Sequence, residues 1–483
     1  MRANAITFLA YAAIMIGCGL GIYFTLQAGM RLEPPRAATE VSAQTSASPG
    51  TGGGAEGWWL GTRDALRQPL PLLLIQLIVI VTLARFFGAH SGRLGQPAVI
   101  GEMIAGIVLG PSALGALAPG MFQFIFPADS LGALRMLSQV GVILFMFVVG
   151  MELDLKQMRG QARTAVLVSH VSIVFPFFLG TLFSFFIYES FSARGTNFSS
   201  FALFMGVATS MTAFPVLARI LQERGMTKSS LGSMALTCAA VADVTAWTIL
   251  LFVVAVVKSR SAGNCLITIG LLLLFVAAML VVVKPLLRRL PVAQMGVSSE
   301  PTHNMVVAVL LLAFGAALLT EVIGIHALFG AFLAGVCIPR ESDFRSRVRE
   351  RLESFSAAFL LPLFFAFTGL RTQMGLLNDW ASIGVCLGLV VAATLGKLGG
   401  SMLTARWSGM DWHDSFALGA LMNTRGLVEL IVLNIGFDLG ILSPRIFTMM
   451  VLMALVTTCM TGPLLSLGDF LSSKSARDGK LVT

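Results

Sequence analysis

The sequence predicts an all-α polytopic membrane protein. About thirteen transmembrane helices are expected in two inverted-topology repeats, with two broken helices crossing at the bilayer midplane and an N-terminal apolar helix or signal segment in front. Three observations carry that expectation. The 483 residues are 56% hydrophobic and only 12% charged, about half the charge of a soluble protein, and the mean hydropathy is +0.86. Apolar runs near 20 residues recur along the chain, the length at which a helix crosses hydrocarbon with its backbone satisfied. Two of those runs are interrupted near their middles by short polar patches that contain Pro or Gly. The period-2 alternation of a membrane β-barrel is absent.

The first run, about Ala5 to Gly29 after Arg2, makes residues 1–30 an anchor or a signal peptide. Its apolar part exceeds the signal-peptide core of about 7–15 residues and no clean A-x-A site follows, which favours a retained helix. Residues 31–57 are rich in Ser, Ala, Gly, Pro and Thr, so 31–66 reads as a flexible polar linker. Thirteen spans follow at about 67–87, 98–116, 134–152, 163–188, 200–222, 229–257, 264–284, 304–321, 325–339, 354–373, 380–406, 414–437 and 444–468, with a short tail at 469–483.

Charge tests this map. If the first of the thirteen runs from outside to inside, 20 of the 33 Lys and Arg fall in cytoplasmic segments (21 with Arg2), ten fall outside, and Lys397 and Arg425 lie within spans. A two-to-one excess puts the C-terminus in the cytoplasm, and the membrane is then a bacterial inner membrane or its equivalent. The net charge of +9 thus reflects topology rather than nucleic-acid binding. The run from Arg340 to Arg351 reads as a solvated cytoplasmic loop against anionic lipid. All six cysteines lie in apolar runs without metal or redox spacing, which fits small packing residues. There is no HExxH and no GxxxxGK[ST] loop, which argues against a zinc enzyme and an ATP-driven pump. No enzyme activity and no cofactor are expected.

Asp243, in Ala239-Ala240-Val241-Ala242-Asp243-Val244-Thr245-Ala246-Trp247, sits near the middle of the sixth span. A carboxylate at that depth costs at least about 2.5 kcal/mol if charged and unpaired, so it has a partner, meets water or holds a proton. The fifth span carries Thr209-Ser210-Met211-Thr212-Ala213-Phe214-Pro215, and the twelfth carries Asn423-Thr424-Arg425-Gly426-Leu427-Val428-Glu429. The two interruptions are seven spans apart, an odd offset that gives them opposite orientations. Paired breaks in two halves point to an inverted-repeat transporter with its site at the midplane. Asp243 follows Pro215 by 28 residues and Lys397 precedes Asn423 by 26, so each half supplies one charge from a neighbouring helix. A carboxylate suits the hard cations Na⁺ and K⁺, and a lysine can neutralise carbonyl-bearing half-helix ends or release its own proton. A purely structural Asp243–Lys397 ion pair is the competing reading. Arg425 and Glu429, spaced i, i+4, read first as a structural pair on one helix face. Glu102, near the inner end of the second span, either lines a cytoplasmic funnel or serves as a cap or interfacial group. Gly106, Gly110 and Pro111 read as sites of close helix packing.

At these residues the chain resembles the monovalent cation/proton antiporters, on the branch of the plant cation/H⁺ exchangers and the bacterial Kef-type antiporters. The matching stretches are Gly95-Gln96-Pro97 with Ile100 to Pro111, Thr212 to Arg219, the Asp243 stretch, His326 to Arg340, Leu361 to Ala366, and Met422 to Gly436. The resemblance implies a thirteen-helix fold and a homodimer. Core helices, about 163–257 and 380–468, would move against a dimerisation panel, about 67–152 and 304–373, within an antiporter domain at 67–468. It implies that Asp243 binds cation and proton in alternation, that Lys397 is the core lysine, and that Thr212 and Asn423 lie at the crossing. Many relatives have an acid, Asn or Gln where this chain has Ala242, which puts the stoichiometry in question. One carboxylate suggests one H⁺ per cation. Electrogenic exchange and a cation channel of the same fold are the alternatives, although no TVGYG-like filter is present. The long cytosolic extension of such relatives, and the regulation it brings, is not expected here. Reporter fusions should place the C-terminus inside, and an external C-terminus would overturn the topology.

Overall fold

A computed structural model describes residues 2–29, 66, 68–152, 162–226, 229–258, 262–289, 303–339 and 343–480. Among them the chain is helical throughout, without a strand. The helices that position the site are α1 (Arg2–Gly29), α2 (Pro69–Arg93), α3 (Ala98–Leu109), α4 (Leu131–Glu152), α5 (Ala162–Phe191), α6 (Phe198–Ser210), α7 (Phe214–Glu223) and α8 (Ser230–Lys258). Next come α9 (Ala262–Ala277), α10 (His303–Ile323), α11 (Ala327–Cys337), α12 (Asp343–Phe355), α13 (Leu361–Leu370), α14 (Trp380–Thr394), α15 (Gly400–Trp407), α16 (Trp412–Met422), α17 (Leu427–Asp438) and α18 (Pro444–Lys480). A π-helical turn, Leu395–Gly399, joins α14 to α15 without a break.

Each of the thirteen expected stretches coincides with a helix or a broken pair. Among the described residues, ten helices are long and apolar enough to cross a membrane, or eleven if α16 and α17, bent by 41° at their break, count as one. The expected number, thirteen, is therefore not reached by length and apolarity alone. The reasons are local. The fifth stretch is divided between α6 and α7, and α11 has 11 residues, about 16 Å of helix against about 30 Å of hydrocarbon. The run from Arg340 is not the expected loop. Its first three residues lie outside the described ones, and from Asp343 it is α12, continuous through a π turn with α13. The proposed linker, apart from residue 66, also lies outside the described residues.

Two packing groups organise the rest. In one, α5 lies against α6, α8, α14 and α15, and α1 lies along α5. In the other, α11 packs on α4 and α10, and α3 is held between α2 and α13. Lipid tails are as apolar as Leu, so helices associate by van der Waals contact wherever small residues let backbones approach. A Cβ on Gly106 of α3 would lie 2.1 Å from the Ala366 carbonyl oxygen of α13. One on Gly335 of α11 would lie 2.1 Å from the Phe147 oxygen of α4. The packing role expected of Gly106 is therefore met by backbone against backbone.

Gly106→Ala should lower the melting temperature of the detergent-solubilised protein, at a cost of about 1–3 kcal/mol for overpacking. Gly270→Ala, where nothing lies within 4 Å of the added Cβ, should leave the melting temperature unchanged or raise it slightly.

Candidate ion-binding site

The first break is short. Helix α6 ends at Ser210, Met211 and Ala213 are extended, and α7 begins at Phe214 with Pro215 in its first turn. Proline is tolerated there because that N–H has no intrahelical partner in any case. The second break is Asn423 to Gly426, between α16 and α17. The two breaks touch through backbone, since the Ala213 N–H donates to the Thr424 carbonyl at 3.1 Å. Gly426 makes that approach possible, because a Cβ there would lie 2.8 Å from Val216 Cγ2.

A helix cut at midplane leaves carbonyls pointing into apolar surroundings, with partial negative charge at its C-terminal end. Arg425 meets those of α6. Its guanidinium donates to the Ala208 oxygen at 3.1 Å and to the Thr209 oxygen at 2.7 Å. Its own backbone is held by Thr458 of α18, whose hydroxyl accepts from the Arg425 N–H at 3.2 Å and donates to the Arg425 carbonyl at 2.9 Å. Glu429 Oε2 lies 3.2 Å from Arg425 Nη1, and both side chains are fully buried. The expected pair is present, but not on one helix face: Arg425 stands in the break before α17 and reaches across to the other half-helix.

That arrangement leaves Lys397 for another partner. Lys397 is fully buried in the π turn between α14 and α15, a feature that often marks functional positions in helices. Gly396 beside it lets the turn approach α5, since a Cβ there would lie 2.7 Å from Pro176 Cβ. The Lys397 ammonium donates to the Thr212 hydroxyl. It makes no ion pair with Asp243 within 4.0 Å among the described residues, although its charge acts on that carboxyl. The structural-pair reading of Asp243 and Lys397 is thus not met by direct contact.

Asp243 is 5% exposed on α8, and its Oδ1 has no hydrogen-bond partner among the described residues. Asn423 Oδ1 is likewise buried and unpartnered, while its Nδ2 lies 3.5 Å from the Thr457 oxygen. Ala242 is buried and adds no polar group. Thr212, Lys397, Asn423, Arg425 and Glu429 therefore gather at the two breaks, with Asp243 within reach of the Lys397 charge. Glu102 is elsewhere: it is buried in α3 against α2, its Cγ 3.5 Å from where a Cβ on Gly88 would stand.

Five further residues contribute, to which the sequence reading gave no individual role. Thr209 donates to the Pro176 oxygen at 3.0 Å and ties α6 to α5. Thr457, Thr458 and Thr461 on α18 brace the second break; their grouping within an apolar helix was the available signal. Trp247, one turn beyond Asp243, lies edge-on to Phe329 at 5.4 Å and stacks on Phe332 at 6.4 Å, which joins α8 to α11.

A multi-pass helical chain with two broken helices that meet over buried charge has the arrangement found in ion-coupled membrane transporters. Residues 78–467 match the family described as sodium/hydrogen exchanger, transmembrane, and the chain belongs to that family. It is 42% identical to the Na⁺/H⁺ antiporter NhaS4 of Synechocystis, over 82% of this chain and 96% of that protein. It is 40% identical to cation/H⁺ antiporter 17 of Arabidopsis thaliana over 83% of this chain and 49% of that one. It is 33% identical to K⁺/H⁺ antiporter 1 of Saccharomyces cerevisiae over 85% and 48% respectively. The matched region spans about half the length of these plant and yeast relatives. The fold is similar to that of the sodium proton antiporter MjNhaP1 from Methanocaldococcus jannaschii, with TM-score 0.59 and 14% identity over 84% of this chain and 98% of that one.

Removing one partner of a buried charge pair leaves the other uncompensated. Arg425→Gln should lower unfolding stability in detergent by about 3–5 kcal/mol. The double variant Arg425→Gln, Glu429→Gln should recover part of that loss, and the coupling energy of the cycle measures the pair.

Proposed function

We propose that the protein is a secondary antiporter that exchanges a monovalent cation, Na⁺ or K⁺, for H⁺ by alternating access, with Asp243 as the group both ions compete for. The observation that carries this reading is a buried carboxylate, one of whose oxygens has no partner among the described residues, beside a helix crossing. Such a group at membrane depth is held by a proton or a cation. Because one carboxylate cannot hold both, each ion taken displaces the other. The names of the relatives cover Na⁺/H⁺ and K⁺/H⁺ exchange, and the oxygen-rich setting of Thr212, Asn423 and Asp243 suits either ion.

Charge balance supports one-for-one exchange. Arg425 and Glu429 offset each other. With Lys397 charged throughout, the proton-loaded and cation-loaded forms of Asp243 carry the same net charge. Ala242 offers no second titrating group. Residues 163–257 and 380–468 would form the moving core, with residues 67–152 and 304–373 as the panel that holds a homodimer. The C-terminus would face the cytoplasm of a bacterial inner membrane.

The test is pH-gradient collapse in proteoliposomes on addition of Na⁺, K⁺ or Li⁺, with and without a clamp on membrane potential. Asp243→Asn should abolish exchange while leaving the melting temperature and oligomeric state intact. Exchange at wild-type rate in that variant would overturn the mechanism. Dependence on membrane potential would replace one-for-one with electrogenic exchange.

A further inference from the structure

The strongest polar cluster away from the crossing joins the two packing groups. Asp438 is the last residue of α17, which packs on α6 and α18, and it is held between two arginines from the group of α4 and α13. Arg135 Nη2 of α4 lies 2.9 Å from Asp438 Oδ2, and Arg371 Nη1, just past α13, lies 2.9 Å from Oδ1. Arg371 also donates to Asn434 Oδ1 at 2.9 Å, and Asn434 donates to Thr368 Oγ1 at 2.9 Å. The Arg371 guanidinium stacks 4.4 Å from the Phe367 ring centre and 5.3 Å from that of Phe437. Arg371 and Asp438 are only 15% and 17% exposed, so solvent screening weakens this contact less than an ordinary surface pair. Beneath the cluster is a small cavity of about 30 Å³ reaching Val142 and His326, room for one or two waters.

The opposite end of the same boundary is apolar and loose. A groove of about 420 Å³ separates Ile100 and Ile104 of α3 from Leu455, Cys459 and Leu464 of α18. It is crossed by a long Gln96 Nε2 to Cys459 carbonyl contact at 3.5 Å. The charge map places Arg135 and Arg371 outside and the start of α3 inside. Helix α17 links the two levels. Its 12 residues make a rod of about 18 Å, with the Arg425 crossing just before its first turn and Asp438 at its end.

We propose that Asp438, gripped by Arg135 and Arg371, is an outer latch that closes the exterior side of the site and opens in every cycle. It thereby sets the balance between the two facing states. This rests on the alternating-access reading. An outward opening that carries α17 away from α4 and α13 by more than the reach of these side chains breaks both ion pairs, so on this reading the outward-facing state lacks them.

The test reads access rather than transport. In a background with the six native cysteines replaced, Val142→Cys reports access from outside and Ile104→Cys access from inside. A membrane-impermeant maleimide is applied to one side of proteoliposomes of fixed orientation. Asp438→Asn should raise external labelling at Val142→Cys about tenfold, and Arg135→Gln about threefold, as ion pairs of this kind are lost. Internal labelling at Ile104→Cys should fall in parallel, and Asp438→Glu should retain wild-type rates. Unchanged external labelling, or a rise at both positions as in general loosening, would overturn the latch. If Asp438→Asn does not fold, Arg135→Gln decides by the same two readouts. A wild-type protein inert in ion exchange would sink the antiport reading without altering these labelling outcomes.

Discussion

The grip of Arg425 on the Ala208 and Thr209 carbonyls is the contact on which the rest of the site depends. Cutting two helices at membrane depth exposes backbone groups where each unsatisfied one costs several kcal/mol. The guanidinium can answer two carbonyls at once because its donors form a planar fork and its charge persists in apolar surroundings. Glu429 offsets that charge at 3.2 Å, and Thr458 fixes the backbone from which Arg425 reaches. The carbonyls of the first break are thereby answered without Asp243, and Lys397 bonds a side chain there, the Thr212 hydroxyl.

That division of labour shapes the chemistry. Lys397 bonds the Thr212 hydroxyl, and Asp243 keeps an oxygen that meets no donor among the described residues. In a closed Asp243–Lys397 pair an incoming cation would first have to displace the ammonium from the carboxylate. Close backbone approach maintains the geometry: Gly426 against Val216, and Gly396 against Pro176. Each contact brings a break or a π turn nearer to its neighbour than any side chain would permit.

Trp247 and Asp438 connect the crossing to the packing group that would serve as its support. Trp247 meets two aromatic rings of α11, one edge-on and one stacked, the arrangements that aromatic quadrupoles favour. Asp438 meets two arginines, a contact that is either made or broken. Helix α17 carries the second kind at one end and lies against the crossing at the other, so in the proposed latch a change at one end would be felt at the other. Ala242 narrows the same picture to one titrating carboxylate on α8.

Much of the fold was legible because a membrane leaves few options: long apolar runs become helices, and Pro or Gly with hydroxyls at midplane marks a break. The relevant spans, both interruptions and the identities of Thr212, Asp243, Lys397 and Asn423 as polar groups at depth follow from residue type and position alone. Partner choice does not. The spacing of Arg425 and Glu429 suggested their pair, which is present, but not that Arg425 also serves a half-helix more than two hundred residues earlier. Glu102, a candidate near the inner end of the second span, packs against α2 away from the breaks. The run beginning at Arg340 resembled a loop and is helical from Asp343, since charge alone does not break a helix. Sequence by itself determined which groups are too costly to leave alone in a bilayer. Only tertiary structure decided which of them answer one another, because hydrogen bonds and ion pairs act over a few ångströms, and that proximity is set by how the helices cross.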